Sequence, residues 1–83
     1  MPIRVRVLYF AHARDAAGRS SESVTVEDGA TAGGLLDSLV KAHQGLGPLK
    51  SSIRLSVNQQ IVKAGARLRD GDEVAVLPPV AGG

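Results

Sequence analysis

One stripe of helical spacing, set among short alternating stretches, constrains this chain most. Leu35, Leu36, Leu39 and Val40 fall on a single face of a helix. The other apolar runs alternate with period two, as half-buried strands do. From Ile3 to Phe10 the alternation puts Ile3, Val5, Val7 and Tyr9 on one face and Arg4, Arg6, Leu8 and Phe10 on the other. The second face begins charged and ends apolar. Glu22 to Val26 continues the pattern with Val24 and Val26 inward, and Ile53 to Val57 with Ile53, Leu55 and Val57 inward. Glu73 to Leu77 closes it with Val74 and Val76 inward, while Gln59 to Val62 reads as a short edge strand. A chain of 83 residues has room for one small core. One main helix laid on one face of a small mixed sheet is the simplest way to cover these residues, so an α+β fold is expected.

Punctuation residues divide these elements. Ala11 to Ala17 is helix-prone, and Gly18 is placed to stop it. Thr31 is the expected N-cap of the main helix, which should run to about His43. Gly33 and Gly34 weaken its first turn by about 1 kcal/mol each relative to alanine, and close packing against the sheet would account for them. Gly45, Gly47 and Pro48 end the helix, Ser51-Ser52 reads as loop, and Asp70-Gly71 marks a turn.

Few side chains offer chemistry. With no cysteine there is no disulfide, thiolate metal site or cysteine nucleophile. His12 and His43 are far apart and neither has a ligand-type partner at helical spacing, so no metal site is expected. His43 at the helix C-terminus suits a capping or solvated role. No serine lies in a nucleophile elbow, and Gly33-Gly34 lacks the Gly-Lys-Ser/Thr of a phosphate loop. Asp70, Asp72 and Glu73 read as turn-shaping acids. The net charge of +2 is spread along the chain, and Tyr9 and Phe10 are the only aromatics, so a nucleic-acid partner is not expected. The start, Met1-Pro2-Ile3-Arg4, has no signal-peptide h-region, and no apolar run approaches the roughly 20 residues of a membrane span. The expected location is the cytoplasm, with no membrane partner.

Reactivity is then left to the end of the chain, Leu77-Pro78-Pro79-Val80-Ala81-Gly82-Gly83. Glycine has no Cβ and fits clefts closed to other residues, while the prolines fix φ and cannot extend a sheet ladder. The division expected is a folded domain over residues 1–77 and a flexible tail over 78–83. At full extension that tail reaches roughly 20 Å, enough to deliver the Gly83 carboxylate into another protein's active site. If the first and last strands are neighbours, Phe10 and Leu77 form an apolar patch at its root, with Ile61 on the edge segment. Small proteins seldom leave such clusters in water without a partner.

Val7-Leu8-Tyr9-Phe10-Ala11 followed by Arg14, then Val57-Asn58-Gln59, Leu68-Arg69-Asp70-Gly71-Asp72-Glu73-Val74-Ala75 and the Pro78-Pro79-Val80-Ala81-Gly82-Gly83 ending carry a family resemblance. In order and spacing the chain resembles the small-subunit family of molybdopterin synthase, ubiquitin-like sulfur carriers. The resemblance implies a β-grasp fold and a carrier that is not catalytic on its own. It implies that an adenylating partner enzyme uses ATP to activate Gly83, beside Gly82, and that the product is a thiocarboxylate, with no cofactor bound by the carrier. It further implies docking on the large catalytic subunit in a heterotetramer, through Phe10, Ile61 and Leu77 and through Pro78, Pro79, Val80 and Ala81. Leu77 is aliphatic where some relatives carry an aromatic. Sulfur delivery for thiazole, cysteine or tRNA thiolation stays open, as do a ubiquitin-like modifier joined to lysines through Gly83 and an interaction module without tail chemistry.

Overall fold

The computed structural model describes residues 1–78. Strands β1 (Ile3–Tyr9), β2 (Ser21–Val26), β3 (Arg54–Val57), β4 (Gln60–Val62) and β5 (Glu73–Leu77) make one mixed sheet in the order β2-β1-β5-β3-β4. The first and last strands pair in parallel at its centre, with Tyr9 opposite Val76. Every other pairing is antiparallel. Helix α1 (Ala11–Ala17) follows β1 directly, and helix α2 (Ala32–Ala42) covers one face of the sheet. This is the α+β architecture that the alternation predicts.

The inward face of β1 is buried, with Val5, Val7 and Tyr9 at most 2% exposed, and it meets Val74 and Val76 of β5. Leu35, Leu36 and Leu39 of α2 close over them. The helix begins where expected: Thr31 Oγ1 accepts the Gly34 N–H at 3.1 Å. Two further N–H groups of its first turn donate outward, Ala32 to the Ala66 carbonyl at 2.8 Å and Gly33 to the Ala64 carbonyl at 2.9 Å. Helix starts leave such donors unsatisfied, and here the segment leading out of β4 supplies the acceptors. Gly33 therefore packs against that segment rather than the sheet. A Cβ on it would lie 2.9 Å from the Ala64 Cβ, so only glycine allows this approach without a shift.

Three boundaries differ from the sequence reading. Phe10 lies outside β1; it is the extended N-cap of α1, and Ala11 enters that helix at φ 48°. Asn58 and Gln59, at φ 51° and 74°, form a two-residue hairpin turn, so β4 begins at Gln60. Between α2 and β3 the chain winds into a 3-10 helix, Gln44–Ser52, in place of a plain loop. Ile53 caps it and β3 starts one residue later. The 3-10 turns carry Leu46 into the core, where it is 0% exposed. Gly45 lets the segment approach α1, since a Cβ there would stand 2.7 Å from the Ala16 carbonyl oxygen.

Leu46→Ala removes buried methyl groups from a site held on both sides by helices, and a loss of about 2–5 kcal/mol is expected. Urea denaturation of the two proteins checks it, and a loss below about 1 kcal/mol would show that the 3-10 segment contributes little to the core.

Candidate functional site

The sheet has two unlike faces. On the uncovered one, the register sets Leu8 opposite Ala75, Ala75 opposite Ser56, and Ser56 opposite Ile61, in one row across β1, β5, β3 and β4. One step towards the tail, Leu77 stands opposite Arg54. Phe10 continues from β1 beside β5, its N–H donating to the Val76 carbonyl at 3.4 Å. Phe10 is 46% exposed and Ile61 59%, while Leu8 and Leu77 are half-buried. The parallel pairing of β1 with β5 thus brings Phe10 and Leu77 to one end of one face, where β5 leads into Pro78. Ile61 lies on the same face at the far edge. The expectations for Pro79, Val80, Ala81, Gly82 and Gly83 concern residues outside those described.

Backbone geometry turns Phe10 outward. Tyr9, the residue before it, is drawn into the core, and the chain then bends through Ala11 in the left-handed region. Such angles are uncommon for residues with a Cβ and persist when their surroundings hold them. Here Ala13 and Arg14 N–H groups donate to the Phe10 carbonyl at 3.0 and 3.3 Å, closing the first turn of α1.

Tyr9 belongs to a polar cluster that the sequence reading missed. The Tyr9 hydroxyl donates to Glu22 Oε2 at 2.6 Å, and His43 Nε2 meets the same oxygen at 2.6 Å. The His43 ring stands edge-on to Tyr9 with centroids 5.8 Å apart, and Arg19 approaches the other carboxylate oxygen at 3.5 Å. His43 does cap α2 through its backbone N–H, which donates to the Leu39 carbonyl. Its ring, however, is not solvated; the side chain is 14% exposed. A signal for this was present, since Glu22 shares the inward parity of Val24 and Val26, and a buried Tyr9 needs a partner for its hydroxyl. Burial alone would raise the Glu22 carboxyl. The hydrogen bonds from Tyr9 and His43 and the nearby charges of His43 and Arg19 outweigh it and hold the group below its ordinary range. Burial, and then the bond to Glu22, push the Tyr9 phenol well above its own.

Asp70, Asp72 and Asn58 have structural roles. Asp70 Oδ1 accepts the Arg4 N–H and Asp72 Oδ2 the Arg69 N–H, both at 2.8 Å, the turn-shaping role expected of them. Asn58 Oδ1 accepts the Glu73 N–H at 3.0 Å and its amide donates to Asp72 Oδ1, which ties the hairpin to the start of β5. Among the described residues no three His, Asp or Glu side chains converge as metal ligands, and no helix is long and apolar enough to cross a membrane.

A sheet with parallel first and last strands and an apolar face at the tail's root can be compared with known proteins. The sequence profile of the ThiS family matches residues 7–83. The chain belongs to this family. The molybdopterin synthase sulfur carrier subunit of Mycobacterium tuberculosis is 40% identical over 82 residues, covering 98% of this chain and 99% of that protein. The subunit of the same name from Chlamydomonas reinhardtii is 36% identical over 83 residues, covering 98% and 100%. Among solved structures, the small archaeal modifier protein 1 of Haloferax volcanii superposes with a TM-score of 0.84 at 31% identity, over 94% of this chain and 99% of that one. The fold is the ubiquitin-like β-grasp. Both sulfur carrier subunits are named as carriers, in agreement with the expectation that the chain is not a catalyst by itself.

The Glu22 cluster gives a pH dependence with a definite sign. Its folded-state pKa is depressed, so its contribution is present above the unfolded carboxylate value of about 4.3 and is lost as pH falls below that value and through the folded one. Stability measured from pH 6 downward should fall in that window, and Glu22→Gln should flatten the fall. Equal acid slopes in the two proteins would remove Glu22 as its source.

Proposed function

We propose that this chain is the sulfur carrier of molybdenum cofactor biosynthesis, acting in the cytoplasm. In this reading the Gly83 carboxylate becomes a thiocarboxylate and gives its sulfur to the pterin precursor inside molybdopterin synthase. The observation that carries the reading is the joint placement of Phe10 and Leu77 at the end of the face from which the Gly-Gly tail leaves. A partner covering that patch would receive the tail as well. The near full-length similarity to carriers of molybdopterin synthase supplies the pathway.

The chemistry follows from what the chain lacks and what it carries. A carboxylate with a pKa of about 3.5 is a stabilised anion at neutral pH and a poor electrophile. An adenylating partner enzyme overcomes this with ATP: a Gly83 oxygen attacks the α-phosphate, pyrophosphate leaves, and an acyl adenylate forms. Sulfide (HS⁻) supplied by a donor system then attacks the carbonyl carbon, AMP departs, and loss of the S–H proton leaves the thiocarboxylate. The carrier contributes no cysteine and no cofactor to these steps. Its part is to dock through Phe10, Leu77 and Ile61 and to thread Pro78, Pro79, Val80, Ala81 and Gly82 towards the catalytic centre of the large subunit.

A second reading has its own support. The Haloferax volcanii relative is named a modifier protein, and one Gly-Gly end can serve both uses. Activation as an adenylate is common to the two; only the nucleophile differs, sulfur in one and a lysine amine in the other.

Intact mass spectrometry of the chain purified from its native cell separates them. The expected result is sulfur in place of one oxygen, localised by fragmentation to Gly83. Carboxylate alone, with lysine-linked conjugates that survive reductant and hydroxylamine, would favour the modifier and count against the carrier.

Phe10→Arg should leave the fold intact, because the side chain lies outside the core, and should weaken binding to the large subunit by at least about tenfold. Burying an unpaired charge against an apolar surface costs several kcal/mol. Calorimetry with the folded variant checks it, and unchanged affinity would move Phe10 out of the interface.

A further inference from the structure

Beside the uncovered face runs a groove of about 450 Å³, between the start of α2 and strands β3 and β4. Its apolar lining comes from Leu36, Ile53, Ile61 and Val62, and its charged lining from Arg54 and Lys63. No acid lines it. Ile61 and Arg54 belong both to this groove and to the uncovered sheet face, so the groove continues the docking patch around the β4 edge.

The neighbouring depression behaves differently. It shares Gly33, Leu36 and Ala64 with the groove but holds Asp37 and Lys50, which pair at 2.6 Å. That cation is neutralised within the chain. Arg54 and Lys63 are exposed, and among the described residues neither has a carboxylate within ion-pair distance. An apolar channel bounded by two cations without counter-charges is complementary to an acidic segment that also carries apolar side chains.

Building on the carrier reading above, we propose that this groove takes an acidic, apolar segment of the large catalytic subunit and so extends the docking site beyond Phe10 and Leu77. An acidic side chain of the segment meets Arg54 and Lys63, and an apolar one rests on Leu36 and Ile53. Charges at the rim of an interface mainly set association rate, salt dependence and choice of partner. The groove therefore selects among partners, while the Phe10 patch supplies buried area.

The test is calorimetry of the full chain with the large subunit at low and high salt, comparing wild type with the double variant Arg54→Glu/Lys63→Glu. Circular dichroism confirms the fold, and if the double variant fails to fold, Arg54→Gln/Lys63→Gln takes its place. The expected result is binding about tenfold weaker at low salt, with a smaller gap at high salt, where exposed charges are screened. Affinity within about twofold of wild type at low salt would overturn the groove and leave the carrier reading standing. Loss confined to the adenylating enzyme would also overturn it, by assigning the cations to a different partner. A wild-type chain that fails to bind the large subunit would remove the carrier reading and the groove together.

Discussion

The parallel pairing of β1 with β5 is the constraint on which the rest depends. Parallel neighbours cannot be joined by a tight turn, and the chain between them must cross the sheet. That crossing contains α2, which is why the helix covers one face, and β3 and β4, which extend the far side. The same pairing makes the first and last strands central, so Val7, Val74 and Val76 are all 0% exposed. It also sets the end of β1 beside the end of β5. Phe10, from the start of the chain, thereby reaches the end of β5, where Pro78 follows.

Alternation lets one strand serve two purposes. Tyr9 and Phe10 are adjacent in sequence, yet one is 2% exposed and the other 46%. Tyr9 is held inward by its hydroxyl on Glu22 and by the His43 ring, and the left-handed turn at Ala11 follows on the other side of Phe10. Hydrogen bonds to a charged acceptor contribute about 1.5–3 kcal/mol, more than a neutral pair. A single partly buried carboxylate thus joins β1, β2 and the end of α2 behind the position from which Phe10 faces outward. The outward position of Phe10 is a consequence of that anchoring as much as of strand parity.

Periodic elements were legible in the sequence because one face of each is buried, and burial writes itself as spacing. The alternation of β1, the Leu35, Leu36 and Leu39 stripe and the Thr31 cap all correspond to contacts in the folded chain. The 3-10 helix was not legible. Its one buried side chain, Leu46, gives no period, and Gly45, which reads as a breaker, here permits close approach to Ala16. His43 caps α2 as expected, but the contacts of its ring were only partly legible: Tyr9 and Glu22 are 34 and 21 residues away, and parity marks Glu22 as inward without naming its partners. The uncovered patch was half legible. Parity gave the face of Phe10 and Leu77, but their closeness depended on strand order, which the pattern alone does not determine.

Strand order also explains how affinity and reactivity can be kept apart in so small a carrier. β5 ends at Leu77, and Pro78 has no N–H to continue the ladder, so the sheet stops where the tail begins. Under the carrier reading, the residues that follow can be selected for passage through a narrow active site. Residues on the uncovered face can be selected for a partner without touching the terminal carboxylate. Under the carrier reading this separation is needed, because the same terminus must be presented first to an adenylating enzyme and then to a synthase subunit. A terminus embedded in the fold would have to be released at each encounter, and the energy of that release would be subtracted from binding. Under that reading, a terminus that needs no such release would leave the docking energy to the face and the groove.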